Sequence, residues 1–269
     1  MITGKGPDLS AVAALSLDVL VLTDIDYDAH NAALGALASA LGGYDHLFAL
    51  RPNTGMPTGL DLDGDGRLGG PRDAQGYGWF SGQGGMAILS RHPLHLVNDL
   101  SALPWRDSHE SLGTDEPALQ RLSSSAHWAV RVDGPVPLTL LTLAATPPVF
   151  DGPTDRNGRR NHDEVLLWAH VMDGRYGPPP QGPVAVIGNF NLDPEYGEGL
   201  HDAARAMIAH DRLQDPLPGQ PTVTWESVGE MRISYILPDK SLSVTGSGII
   251  PAPAAGSHSI VWVDVEGPE

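Results

Sequence analysis

Residues 17–23 (LDVLVLT) form a run that is apolar at nearly every position, and too short to span a membrane. Such a run is expected of a strand buried on both faces. Similar short runs recur at 46–50, 85–90 (GMAILS), 127–132, 138–143, 184–188 (VAVIG), 232–237, 242–245 and 260–265. Between them lie segments of helical period. After Asp28, a residue suited to cap a helix, Leu34, Leu37 and Leu41 share one face, and Gly42-Gly43 stops the pattern. A second helix is predicted over 161–172. Asn161 and Glu164 resemble its capping box, and Val165, Trp168 and Met172 share a face. A third is predicted near 200–208. Strands inside with helices covering them define an α/β chain. No linker-like composition shift or internal repeat divides it, so residues 1–269 read as one domain.

The intervals are rich in turn residues. Gly and Pro together make 56 of the 269 residues, about 21% against roughly 12% in an average protein, without any period. Residues 51–78 are mostly Gly, Pro, Asp, Asn and Arg. A loop of that length inside an α/β fold is more often functional than idle.

Charge and cysteine content exclude several classes. Lys and Arg number 16 against 33 Asp and Glu, for a net charge of −17. No basic run is present to hold a phosphate backbone, which argues against a general duplex-DNA binder. The absence of Cys removes disulfides, thiol catalysis and thiolate metal sites. It also leaves both an exported and a cytoplasmic location open. The opening MITGKGPDLS has no apolar core of a secretory signal. Neither a G-x-S-x-G elbow nor a phosphate-binding P-loop occurs.

Several candidate groups stand out. Asp61, Asp63 and Asp65 with Gly66 match the start of a calcium loop, but the twelfth position is Arg72 rather than Glu. The loop reads either as an ion site or as a solvated acidic turn. Arg159, Arg160, Asn161 and His162 sit in a donor-rich string at a predicted helix N-terminus, a natural place for an anion. The alternative is pairing with surface carboxylates. Arg51 and Asn53 open the long loop and could reach the same cleft, or could serve only turn chemistry.

The strings VLVLTDIDYD, RPNTGMPTGLDLDGDG, GQGGMAILSRHP, TPPVFDGPTDRNGRRNHDE, IGNFNLDP, RISYILP and HSIVWVDV follow one another along the chain. In content and order they resemble the endonuclease/exonuclease/phosphatase superfamily, and most of all a bacterial branch sharing the PPVFDGP-DRNGRRNHDE string. The resemblance implies a four-layer α/β sandwich, two mixed sheets packed face to face with helices outside. It also implies metal-assisted phosphoester hydrolysis on Mg²⁺ or Ca²⁺.

The same resemblance assigns roles and exposes departures. Asp24 stands where the family has a metal-binding Glu, and Asn189 where it has the Asp that orients water. Asn191 of that turn is retained, as is His258. Ser234, Ser257 and Ala144 replace an Asp, the His-orienting Asp and a His. The N-terminal strand carrying a family Asn has no counterpart. Asn189 cannot take a proton, and His258 lacks its usual orienting carboxylate. Three readings follow: a phosphoester hydrolase with a remodelled centre, a non-catalytic member whose cleft holds a small phosphorylated or anionic ligand or a partner, or different chemistry on the same fold.

Overall fold

A computed structural model of the chain describes residues 9–251 and 258–267. Its regular elements are α1 (Leu9–Leu15), β1 (Val19–Ile25), α2 (Ala32–Leu41), β2 (His46–Phe48), β3 (Gly85–Ser90), β4 (Leu94–Asp99), β5 (His127–Val132) and β6 (Leu138–Ala144). They continue with α3 (Arg156–Met172), β7 (Val184–Asn189), α4 (Asp202–Ile208), β8 (Val223–Trp225), β9 (Gly229–Met231), β10 (Ser234–Pro238), β11 (Ser243–Ile250) and β12 (Ile260–Glu266). Ser257 lies outside the described residues.

Alternation along the strands builds the layers. The central sheet has the order β10-β7-β6-β5-β4, with β6 and β7 parallel and the other neighbours antiparallel. One face, carrying Leu141, Leu143, Val186 and Leu237, packs under Val165, Trp168 and Met172 of α3 and Met207 of α4. The opposite face, with Trp128, Val130 and Leu140, meets Met86 and Ile88 of β3. The other side of β3, Ala87 and Leu89, packs on Leu34 and Ala38 of α2. The result is the expected four-layer α/β sandwich. One detail differs: among the described strands only the five-stranded sheet is mixed. The second layer is antiparallel and comes in two pieces, β1-β3-β2 and the ribbon β11-β12.

That division explains β1. It begins two residues later than the apolar run suggests and is only half-buried. Its hydrogen bonds go to β3, and a cavity of about 330 Å³ lies between it and β12. Helix α3 starts at Arg156, five residues before the predicted start, with Asp155 in the left-handed region at the cap position and the Asp151 carboxylate accepting the Asn157 N–H. Asn161 is therefore inside the helix. The cap position of α2 is Asn31 rather than Asp28, although the Asp28 carboxylate still accepts the Ala33 N–H at 2.9 Å. No helix among the described residues is long and apolar enough to cross a membrane.

His127 is fully buried between the central sheet and α3. Its Nε2 faces the Glu164 carbonyl at 2.9 Å, and its Nδ1 faces the Ser123 hydroxyl at 2.6 Å. A carbonyl only accepts, so Nε2 carries a proton. Burial holds its pKa down to about 4, offset in part by the Glu164 backbone and Asp99. The folded protein thus binds this proton less readily than the unfolded chain, whose His titrates near 6.5. Stability is full above pH 6.5 and drains as the pH falls toward 4, by on the order of 3 kcal/mol in all. Urea unfolding from pH 7.5 to pH 4.5 should show that loss. In NMR the His127 ring should stay neutral at pH 5, and titration near pH 6.5 would refute the assignment.

Candidate functional site

The C-terminal ends of the parallel pair β6 and β7 open into a cleft of about 850 Å³ between the two sheet layers. Gly188 makes the approach feasible. A Cβ there would stand 1.9 Å from the Leu143 carbonyl, so only glycine lets β7 run this close to β6 just before Asn189.

Four side chains from three separate parts of the chain line this cleft: Asp24, Asn189 with Asn191, and His258. Asp24 sits on a bulge, where the β1–β3 register shifts between Thr23 and Ile25. Its φ is +58, a left-handed conformation that Asp tolerates better than most residues. The bulge takes Asp24 out of the ladder. Desolvation and the neighbouring Asp26 push its carboxyl pKa up, and His258 pulls it back.

Asn189 and Asn191 are bound to each other. Asn189 Nδ2 donates to Asn191 Oδ1 at 3.0 Å, and the Asn191 N–H donates to Asn189 Oδ1 at 2.9 Å. Asn191 Nδ2 donates to the Ala145 carbonyl at 2.7 Å, which ties the turn to the end of β6. Ser234 pairs with Asn189 across β10 and β7, and its hydroxyl lies 3.5 Å from His258 Nδ1. His258 is exposed as a residue, but its ring stands edge-on to Trp225 in the cleft wall. Desolvation lowers its pKa, with Asp24 acting the other way.

Two buried residues position this wall. Thr222 accepts the Ile233 and Ser234 N–H groups through its hydroxyl and the Ser259 N–H through its carbonyl, so one residue fixes both Ser234 and the His258 segment. Glu164 accepts from the Ser124 N–H at 2.5 Å, the Ser124 hydroxyl at 2.7 Å and the Thr146 N–H at 2.7 Å. Both Ser124 and Thr146 line the cleft. Burial raises the Glu164 pKa, while Arg160 and these donors oppose the shift. Sequence reasoning missed both roles. The signal for Glu164 was available: an acid on the apolar face of α3, among Asn161, Val165 and Trp168, needs buried partners.

None of the six expected substrate-binding residues lines the cleft. Arg160 and Asn53 are buried and committed to backbone: Arg160 donates to the carbonyls of Leu122, Gln75 and Arg121, and Asn53 Nδ2 to those of Ser101 and Ser123. Asn161 Nδ2 bridges the Thr146 and Phe190 carbonyls, a support for the cleft loops rather than a cap. Arg159 reaches Leu112 and Asp115. His162 lies against Asp163 and Asp202, and Arg51 over the Tyr27 ring. At the start of α3, the buried Arg160 and Asn161 thus spend their side-chain donors on carbonyls of the protein itself. Asp61, Asp63 and Asp65 also stay outside the cleft, on an exposed loop where their carboxylates accept backbone N–H groups of residues 64–67. They lie close enough together to share an ion.

The donor set admits a particular kind of cation. Asp24 is the one carboxylate among the described residues lining the cleft, and no Lys or Arg lines it. The described lining residues do not form a closed carboxylate cage for a hard dication. Mg²⁺, however, commonly binds one or two carboxylates together with substrate phosphate and water. A lone carboxylate in a cleft without cations fits that mode.

Comparisons with known proteins bear on the same cleft. The model of the endonuclease/exonuclease/phosphatase family matches residues 6–258. No curated protein matches the chain. An endonuclease/exonuclease/phosphatase from Beutenbergia cavernae is similar in structure at 17% identity and a TM-score of 0.64. The match covers 97% of this chain and 65% of that one, so this chain spans just under two thirds of its length. A family protein from Leptotrichia buccalis is similar at 14% identity and TM-score 0.58, covering 96% and 90% of the two chains. A mannosyl-6-phosphatase from Bacteroides thetaiotaomicron is similar at 15% identity and TM-score 0.55, covering 96% and 88%.

Proposed function

The chain belongs to the endonuclease/exonuclease/phosphatase family, and we propose that it is a phosphoester hydrolase of reduced power acting on a small phosphorylated substrate. The convergence of Asp24, Asn189, Asn191 and His258 on one cleft carries this reading. A phosphate entering a cleft whose described lining residues supply a carboxylate and no guanidinium or ammonium is repelled unless a cation lies between them. Asp24 would hold that cation, which would neutralise phosphoryl charge and polarise the P–O bond. His258 then donates a hydrogen bond to charge developing on the phosphoryl or leaving oxygen. Ser124, held by Glu164 through its N–H and hydroxyl, and Thr146, held through its backbone N–H, shape another part of the wall. What the water-orienting position lacks is a carboxylate. Asn189 orients a water through its amide but cannot take its proton, and Ser234 gives His258 a weaker orienter than a carboxylate would.

The test is hydrolysis of bis-p-nitrophenyl phosphate and p-nitrophenyl phosphate with Mg²⁺, Mn²⁺ or Ca²⁺. Slow metal-dependent turnover is expected, lowered roughly 10²- to 10³-fold in His258→Ala. Asp24→Asn should weaken the metal requirement's half-saturation by at least about 10- to 100-fold. Turnover unchanged in both variants would overturn the proposal. The mutual hydrogen bonding of the Asn189 and Asn191 amides favours one second reading, a cleft that binds phosphate without cleaving it. Metal-dependent phosphate binding with no turnover would establish that instead.

A further inference from the structure

Away from the cleft, His109, Glu110 and His170 bring three ligand atoms within 4.8 Å of one another. Glu110 Oε1 is 4.0 Å from His109 Nδ1, and Oε2 is 3.9 Å from His170 Nε2. The two rings are 4.7 Å apart at 42°. None of the three residues lines the cleft.

Two features of this group call for a ligand. His109 Nδ1 is a buried nitrogen with no hydrogen-bond partner, a costly state for a polar atom. Glu110 has φ +54, a conformation that costs energy in a residue of this type. Meanwhile the frame is rigid. The His109 N–H donates to the Tyr176 hydroxyl at 2.7 Å. Asp163 receives both the Trp105 indole N–H and the Leu112 N–H at 2.7 Å. The loop carrying His109 and Glu110 is thereby held against α3, which carries His170.

We propose that His109 Nδ1, His170 Nε2 and the Glu110 carboxylate bind a borderline divalent transition metal, with Zn²⁺ the best chemical match. Two imidazoles and one carboxylate are a recurrent Zn²⁺ set, completed by water. Imidazole also selects against Mg²⁺ and Ca²⁺. Ligand bonds of about 2.0–2.2 Å in tetrahedral array place ligand atoms about 3.3 Å apart, so the group contracts by about 1 Å on binding. Glu110, whose side chain is 76% exposed, is free to make most of that move. The metal joins the loop following β4 to the helix that packs on the central sheet. That loop continues to Ser124 and Ser125 in the cleft, so the site clamps one wall of it from behind.

Calorimetric titration of chelator-treated protein with Zn²⁺ should show one site that Mg²⁺ does not compete for. Co²⁺ in its place should give the intense visible absorption of four-coordinate nitrogen and oxygen ligation. His170→Ala and Glu110→Gln should each weaken Zn²⁺ by at least about 10- to 100-fold, the range already seen for loss of outer partners. Because Glu110 is exposed, its substitution leaves the fold intact and keeps the test valid if His170→Ala unfolds. Asp24→Asn and Asp61→Asn should leave the site unchanged. Unaltered Zn²⁺ binding in Glu110→Gln, its loss in Asp24→Asn, or no binding at all would each overturn the assignment.

Discussion

Introducing Asn189→Asp together with Ser234→Asp should raise metal-dependent phosphodiester turnover by about 10²- to 10⁴-fold, the usual contribution of a positioned general base. Asn189 lines the cleft, and its backbone is set by β7 and by the Gly188 approach to β6. A carboxylate there keeps one existing contact, the Asn191 N–H donated to Oδ1 at 2.9 Å. It loses the other, because the Nδ2 donation to Asn191 Oδ1 becomes a meeting of two oxygens. That repulsion costs about 1–3 kcal/mol of stability. It also raises the new carboxyl's pKa toward neutrality, where a general base works best. The second change acts through His258. Ser234 Oγ stands 3.5 Å from Nδ1, and a carboxylate in its place would hold the ring's tautomer and support its protonated form. Steady-state rates on bis-p-nitrophenyl phosphate measure the outcome. A double variant that binds phosphate as before yet turns over no faster would show that something other than a missing base limits the cleft.

The second large effect concerns stability. Glu164→Ala should destabilise the fold by about 3–5 kcal/mol, the scale for removing one partner from a buried charged group. The carboxylate satisfies three donors from two different loops, Ser124 twice and Thr146 once. Its removal leaves two backbone N–H groups without acceptors in a dry environment. It also strips the buried Arg160, one turn earlier on α3, of the opposite charge that offsets its desolvation. Glu164→Gln should fall in between, since one amide oxygen can still accept while the NH₂ faces donors. Urea unfolding midpoints at pH 7 give the comparison. A loss below about 1 kcal/mol for Glu164→Ala would mean that water replaces the carboxylate, and that Glu164 does not brace the cleft.

Much of this architecture was legible in the order of residues. Strands at 127–132, 138–143 and 184–188 follow from local apolar runs, and the structure has β5, β6 and β7 at nearly those bounds. The face of α3 bearing Val165, Trp168 and Met172 follows from helical period, and it packs on the central sheet as such a face must. Strand β4 and the hairpin β8–β9 were not legible, because β4 is mostly exposed and the hairpin strands have three residues each. Little apolar pattern accompanies strands of that kind.

Residue identity and local period therefore determined the fold class, the core faces and the motif positions, since these depend on side chains near one another in the chain. The partners of polar groups were decided by the tertiary structure alone. Arg160 and Asn161 look like ligand-binding donors in a linear string, and the same string contains Glu164. Only the packing of residues 121–124 and of the loops after β6 and β7 against α3 shows the two donors turned inward to carbonyls and Glu164 turned toward the cleft loops. The His109–Glu110–His170 group joins positions sixty residues apart and likewise exists only in the folded chain. A buried donor must find an acceptor wherever the fold brings one, and sequence spacing carries no record of that distance.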